Sequence, residues 1–214
     1  MPQSSHQPVR TLAFSLELVE GQPQIIVTSP DAPDSRILGR YGTDVQHLLV
    51  PLEAGSVERI IALDVVEHVL DEQAFLQEVA RLLRLGGRLD VRVPAQGVTG
   101  WMDALNLYRF LADFSHRGRQ PQTAFPAGWH RHYSSDDIVD LITDVGFDVT
   151  SNRRVNPGFA ELPHFGGFLV GDMLLKRPDI ETRLDRWRRQ ADERANRIPA
   201  AIIGTRHELV AYRT

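Results

Sequence analysis

The 214-residue sequence has no cysteine. That excludes disulfides, thiolate metal sites and cysteine nucleophiles, and it is compatible with a cytoplasmic protein. No apolar run approaches the roughly 20 residues that span a bilayer. The opening MPQSSHQPVR lacks the apolar core of a signal peptide and reads as a flexible arm over residues 1–10. Positive charge is not in excess either: 24 Lys+Arg stand against 28 Asp+Glu, for a formal net charge of −4. A dedicated nucleic-acid binder would carry a basic face, so no nucleic-acid or membrane partner is expected. Repeats and low-complexity tracts are missing as well. What remains, 42% hydrophobic and 24% charged residues, is enough for one domain over 11–214 with a sizeable core.

Periodicity divides the chain. "TLAFSLELV" alternates, with Leu12, Phe14, Leu16 and Leu18 on one side, which predicts a half-buried strand. "EGQPQ" is a turn and "IIVTSP" a second strand, so 11–29 reads as an antiparallel hairpin. Residues 36–50 are ambiguous, and "DVQHLLV" can be read as a strand. "RIIALDVV" is a continuous apolar run of the kind buried on both faces of a parallel sheet. In "DEQAFLQEVARLLRLGG" the apolar residues Phe75, Leu76, Val79, Leu82 and Leu83 fall on one helical face. Asp71 is placed as N-cap and Gly86 as the left-handed residue that ends the helix. "GRLDVRVP" follows as a strand, completing a βαβ unit. Residues 95–133 form a long insertion, with one helix near 102–114, where open α/β sheets bind ligands. "YSSDDIVDLITDVGF" is a second capped helix, and "FDVTSNRRV" and "RHELVAYR" read as the last two strands. Between those strands lies a charged helix, 178–197, with a thin apolar stripe that fits either a solvated face or a homodimer contact.

Two blocks carry a family likeness. "SVERIIALDVVEHVLDEQAFLQEVARLLRLGGRLDVRVP" and "HRHYSSDDIVDLITDVGFDV" resemble segments of class I S-adenosylmethionine-dependent methyltransferases, especially the type 11 group. The shared pattern is an apolar strand, a Glu-His pair, an Asp-capped helix, a Gly-Gly turn and a strand ending in Val-Pro. The resemblance implies a Rossmann-like α/β fold: a seven-stranded, mostly parallel sheet with helices on both faces. It also implies S-adenosyl-L-methionine lying across the carboxyl ends of the first, second and fourth strands. Leu63 and Asp64 would then border the cofactor.

The family's glycine-rich turn after the first strand has no counterpart. The best match for that strand is "QIIVTSPDAPDS", where Pro30 and Pro33 remove backbone donors. Thr28 and Ser29 at its end join the candidate cofactor set. For the family's ribose-binding acid the stand-ins are Asp31, Asp34 and Asp44, none placed by spacing, and Asp44 completes the set. An antiparallel partner beside that strand implies a shortened N-terminal half.

Candidate catalytic residues are the histidines His68, His130 and His132, whose side chains titrate near neutral pH and suit a general base. The alternative for Glu67–His68 is a polar pair tying helix to strand. His130 and His132 lack a placed third ligand, so no metal site is assigned. Glu67, Trp101, Trp129 and Tyr133 are candidate substrate contacts, the aromatic ones either as an acceptor pocket or as a satellite core under the insertion. "GGFLVG", 166–171, lacks the Lys-Ser/Thr of a phosphate loop and reads as packing. Two functions follow. One is methyl transfer to a small-molecule or glycan-type hydroxyl or amine. The other is an inactive methyltransferase-like domain that serves as a partner subunit or binds another ligand.

Overall fold

Strand β1 (Thr11–Val19) pairs in two directions, and those pairings set the rest. It is antiparallel to β2 (Gln22–Thr28), from Val19 opposite Gln22 to Ala13 opposite Thr28. It is parallel to β4 (Val57–Leu63), with Leu12 opposite Ile60 and Phe14 opposite Ala62. The computed structural model describes residues 10–19, 22–31, 37–42, 48–96, 131–156, 194 and 204–214. The arm 1–9, the insertion residues 97–130, the glycine-spaced 166–171 and most of the charged helix 178–197 lie outside those residues.

Beyond β2 the meander continues into β3 (Ile37–Gly42), antiparallel, with Ile25 opposite Tyr41. "DVQHLLV" forms no strand in its described part, 48–50. On the other side of β4 lies β5 (Leu83–Pro94), parallel, with Ile60 opposite Leu89 and Leu63 opposite Arg92. The last strands are β6 (Phe147–Val155) and β7 (Arg206–Arg213), in the positions their sequence patterns predicted. The seven strands form one sheet in the order β3-β2-β1-β4-β5-β7-β6.

Strand directions make this a mixed sheet. Arg213 donates to the Leu83 carbonyl and the Ala95 amide to the Thr205 carbonyl, so β7 runs against β5. Thr150 bonds Val210 and Arg153 bonds Glu208, so β6 runs against β7. Strands β1, β3, β4, β5 and β6 therefore share one direction, while β2 and β7 are reversed. Parallel neighbours occur only within β1–β4–β5 among the described pairings. The reversal of β2 has a local cause. Two residues connect it to β1, which suffices for a hairpin, whereas a parallel return needs a crossover of a dozen or more.

The residues fall into two compact units, each described by itself. The first holds Met1–Val93, Asp136–Asn152 and Leu209–Thr214; the second holds Pro94–Ser135 and Arg153–Glu208. In the first, helix α1 (Glu72–Leu82) is capped by Asp71, whose carboxylate accepts from the Ala74 amide at 2.9 Å. Its buried face carries Phe75, Leu76, Val79 and Leu82, and Phe75 meets Phe14 of β1 edge-on, with ring centroids 5.3 Å apart. The helix ends at Leu82, earlier than its apolar pattern predicts, because Leu83 already pairs with Val57. Residues 84–87 then bulge from the ladder, and Gly86, at φ +69°, turns the bulge instead of ending the helix. Helix α2 (Ser135–Thr143) buries Ile138 and Ile142 and is followed by Gly146 at φ +90°.

A polar clamp holds the segment that leads into β4. Glu78 is buried on α1 and accepts from the Val50 amide at 2.9 Å. Arg81, one turn on, donates to both Glu78 oxygens at 2.6 and 2.8 Å and to the carbonyls of Leu52 and Val50. Burial and the nearby Glu78 carboxylate raise the Tyr41 phenol above its ordinary range. Glu78→Ala removes an acceptor from a buried amide and strands a guanidinium. Because Arg81 is a third exposed, the expected loss is about 2–4 kcal/mol, toward the lower part of the range for broken buried pairs. Urea denaturation of the variant and the parent measures it.

Candidate functional site at the exit of β4

The apolar run "RIIAL" remains a strand up to Leu63 and then stops at an acid. Asp64 has φ +57°, a left-handed conformation uncommon for a residue with a side chain. Two contacts to β5 accompany the break. The Asp64 amide donates to the Arg92 carbonyl at 2.9 Å, and Arg92 donates from Nε and Nη2 to Asp64 Oδ2 at 3.0 and 2.5 Å. Val66–His68 then form one 3₁₀ turn, closed by bonds from the His68 amide to Val65 O and from the Val69 amide to Val66 O. Glu67 is buried in this turn, and His68 Nε2 lies 3.9 Å from its Oε1. Leu63, Asp64, Glu67 and His68 are thus brought together at one strand exit, with Arg92 beside them.

Arg92 is the member that sequence reasoning missed. Its signal lies in "RLDVRV", residues 88–93. A strand buried on both faces should be apolar throughout, yet here charge alternates with Leu89, Val91 and Val93. Arg88, Asp90 and Arg92 therefore line one face of a central strand. Asp90 collects Arg59 at 2.6 Å and Arg88 at 2.5 Å, and that hydrogen bond raises the Arg88 pKa.

Thr28 and Ser29 are not brought to this edge. Thr28 is level with Ala13 and hence with Ile61, and reversed β2 carries the chain on toward the amino end of β4. The strand beside β4 is β1; the "QIIVTS" stretch, read as the first strand from sequence, occupies the second position. At the carboxyl edge β1 continues past β4. Phe14 faces Ala62, so Ser15 is level with Leu63 and Leu16–Val19 run on for about 13 Å at ~3.3 Å per residue. Asp44, Trp101, Trp129 and His130 lie outside the described residues.

His132 and Tyr133 belong to the second unit. Tyr133 is buried and bridges to Ala95, its amide donating to Pro94 O at 3.0 Å and its carbonyl accepting from the Gln96 amide at 2.7 Å. The same unit holds a buried histidine that sequence reasoning passed over, His207 at the start of β7. Burial lowers its pKa, Arg154 pushes the same way, and a hydrogen bond with the Tyr133 backbone opposes them. Arg154 itself donates to the Gln96 carbonyl at 2.8 Å. Among the described residues no three His, Asp or Glu side chains converge as metal ligands would.

Taken together, the fold defines an α/β protein with a mixed seven-stranded sheet and a polar site at the end of a central strand. Residues 30–91 match the family model described as "Methyltransferase domain", so the likeness read from sequence over 56–94 is borne out across β4, α1 and most of β5. The match also takes in β3 and does not reach the second block, which begins at His130. The match begins after β1 and β2. No curated protein matches the chain. Among solved structures, a loganic acid methyltransferase with SAH is similar at TM-score 0.49 and 12% identity, covering 78% of this chain and 64% of that one. A putative sarcosine dimethylglycine methyltransferase from Galdieria sulphuraria gives 0.44 and 15%, over 77% and 56%. A methyltransferase from Thermotoga maritima, described as a possible histamine N-methyltransferase, gives 0.42 and 14%, over 77% and 59%. The chain spans little more than half the length of the last two. No helix among the described residues is long and apolar enough to cross a membrane.

Two predictions follow from these placements. Asp64→Gly and Asp64→Ala both lose the ion pair, but alanine keeps the left-handed strain; the alanine variant should be less stable than the glycine one by about 1–2 kcal/mol in urea. For His207, the folded pKa lies below the unfolded value of about 6.5. The unfolded chain therefore binds the proton first. The stability contribution is complete above about pH 6.5 and is lost as the pH falls toward and through the folded pKa. His207→Gln should lose less stability than the parent between pH 7 and pH 5, as read by denaturant midpoints.

Proposed function

We propose that this chain is an S-adenosylmethionine-dependent methyltransferase-type domain acting at the exit of β4, on a small-molecule or glycan-type hydroxyl or amine. The observation that carries the reading is the coincidence of the family-matched segment 30–91 with the one described strand exit that gathers an acid, a Glu–His turn and an arginine. Leu63 and the partly exposed Asp64 carboxylate stand at the sheet's carboxyl edge, where they would form the β4 side of a cofactor seat. Bound there, S-adenosylmethionine would supply an electrophilic methyl group. The chain's own part is to align an acceptor and take its proton. His68 suits the second task, since its imidazole is partly accessible and lies near the buried Glu67, which would steady the imidazolium.

A second reading has its own observation. The β1–β2 hairpin replaces the glycine-rich turn, and the reversal of β2 points that strand's end away from Asp64. An inactive methyltransferase-like domain, serving a partner protein or holding another ligand, would need neither a glycine-rich turn nor a second strand ending beside Asp64.

Calorimetry and thermal shift with S-adenosylmethionine and S-adenosylhomocysteine separate the two. Under the first reading, heat is saturable and ligand at 100 times its Kd stabilises the fold by about 2.7 kcal/mol. His68→Ala should then keep S-adenosylhomocysteine binding while losing about 10²–10⁴-fold in turnover. No heat and no shift at millimolar ligand would overturn the first reading in favour of the second.

A further inference from the structure

The geometry points to Arg92 as the seat for an oxyanion, a carboxylate or phosphate carried by the acceptor, at the exit of β4. The word acceptor rests on the methyl-transfer reading; the anion seat rests on the arrangement around Arg92 alone.

A guanidinium offers two hydrogen-bonding edges, a side edge of Nε and Nη2 and an end edge of Nη1 and Nη2. Asp64 occupies the side edge, with both donors converging on Oδ2 at 3.0 and 2.5 Å. The end edge is left over, and no described residue accepts from Nη1. Arg81 differs: its Nε, Nη1 and Nη2 are all used, on Glu78 and on the carbonyls of Leu52 and Val50. Arg59 and Arg88 differ in place, sharing Asp90 nearer the amino end of the strands.

Three further features fit a ligand contact. The Arg92 side chain is 19% exposed, so it is largely withdrawn from water without being sealed off. Charge-assisted bonds are strongest in such settings. Asp64 fixes the plane of the fork in advance, which spares an incoming anion the cost of ordering it. Asp64 itself sits in a strained left-handed conformation, a feature that concentrates at ligand sites. Because Asp64 already balances the arginine's charge, a monovalent anion gains chiefly from the two directed N–H groups. Affinity for a bare probe therefore belongs in the millimolar range, and a carboxylate or phosphate oxyanion is preferred over a neutral amide.

The test titrates the full-length ¹⁵N-labelled chain with benzoate, phenyl phosphate and benzamide, following the Arg92 Nε–H and the amides of Asp64 and Val65. Benzoate or phenyl phosphate should give saturable shifts there and benzamide none, and the tighter of the two distinguishes carboxylate from phosphate. Arg92→Lys keeps the charge and removes the fork; it should weaken binding at least tenfold. Equal affinity in that variant, or shifts that avoid Asp64 and Arg92, would overturn the proposal. If the variant does not fold, the location of the parent's shifts decides alone. Binding of S-adenosylhomocysteine is measured separately. Oxyanion binding without it would leave the anion seat standing and remove the methyl-transfer reading. The converse result would remove the seat and leave that reading intact.

Discussion

Strands that run side by side in one direction must part at their carboxyl ends, and how they part decides what stands at the edge. In this chain β4 and β5 part at an ion pair. Asp64 turns left-handed and hands both its amide and its carboxylate to Arg92, so the main chain leaves the sheet at a defined angle. The 3₁₀ turn with Glu67 and His68 follows at once, and its position is inherited from that break. A β4 that continued straight through "DVV", as the apolar run alone would allow, would carry those side chains beyond the level where β5 ends.

The ion pair is set up by two less visible supports. The Glu78–Arg81 clamp ties α1 to residues 50–52, which fixes the segment leading into β4. The alternation of β5 gives one sheet face to the core and the other to Arg88, Asp90 and Arg92. That second face is unusual for a central strand of an α/β sheet, and it is what lets an arginine stand beside the end of β4. Of the 24 basic residues, only Lys176 is not arginine. At Glu78 the planar fork of Arg81 meets both carboxylate oxygens, and at Asp90 and Asp64 two aligned N–H groups of one arginine converge on one oxygen, an arrangement a single ammonium does not offer.

The hairpin β1–β2 sets the remaining constraint. A two-residue connection forces an antiparallel return, so the second sheet position runs backwards and its end lies away from Asp64. The strand order nevertheless closes in the sequence 3-2-1-4-5-7-6, because position in a sheet depends on which edges are paired and not on the direction of each strand. The consequence is a site built on the β4–β5 side, with β1 extending past it as a rib about four residues long.

Much of the scaffold was legible in the sequence. The alternation of "TLAFSLELV", the Asp71 cap, the helical stripe of α1 and the two final strands are local patterns, set by periodicity and capping chemistry within a few residues. The expectation that Leu63 and Asp64 end a strand and that Glu67 and His68 follow is local in the same way. Tertiary structure decided what depends on pairing between distant segments. It moved β1, not "QIIVTS", next to β4; it ended α1 at Leu82 by pairing Leu83 with Val57; and it set Arg92 against Asp64 and buried His207 near Arg154. Periodicity states which faces a segment can bury, but register between strands is chosen by the summed packing of all of them, and that choice selects which charged side chains meet.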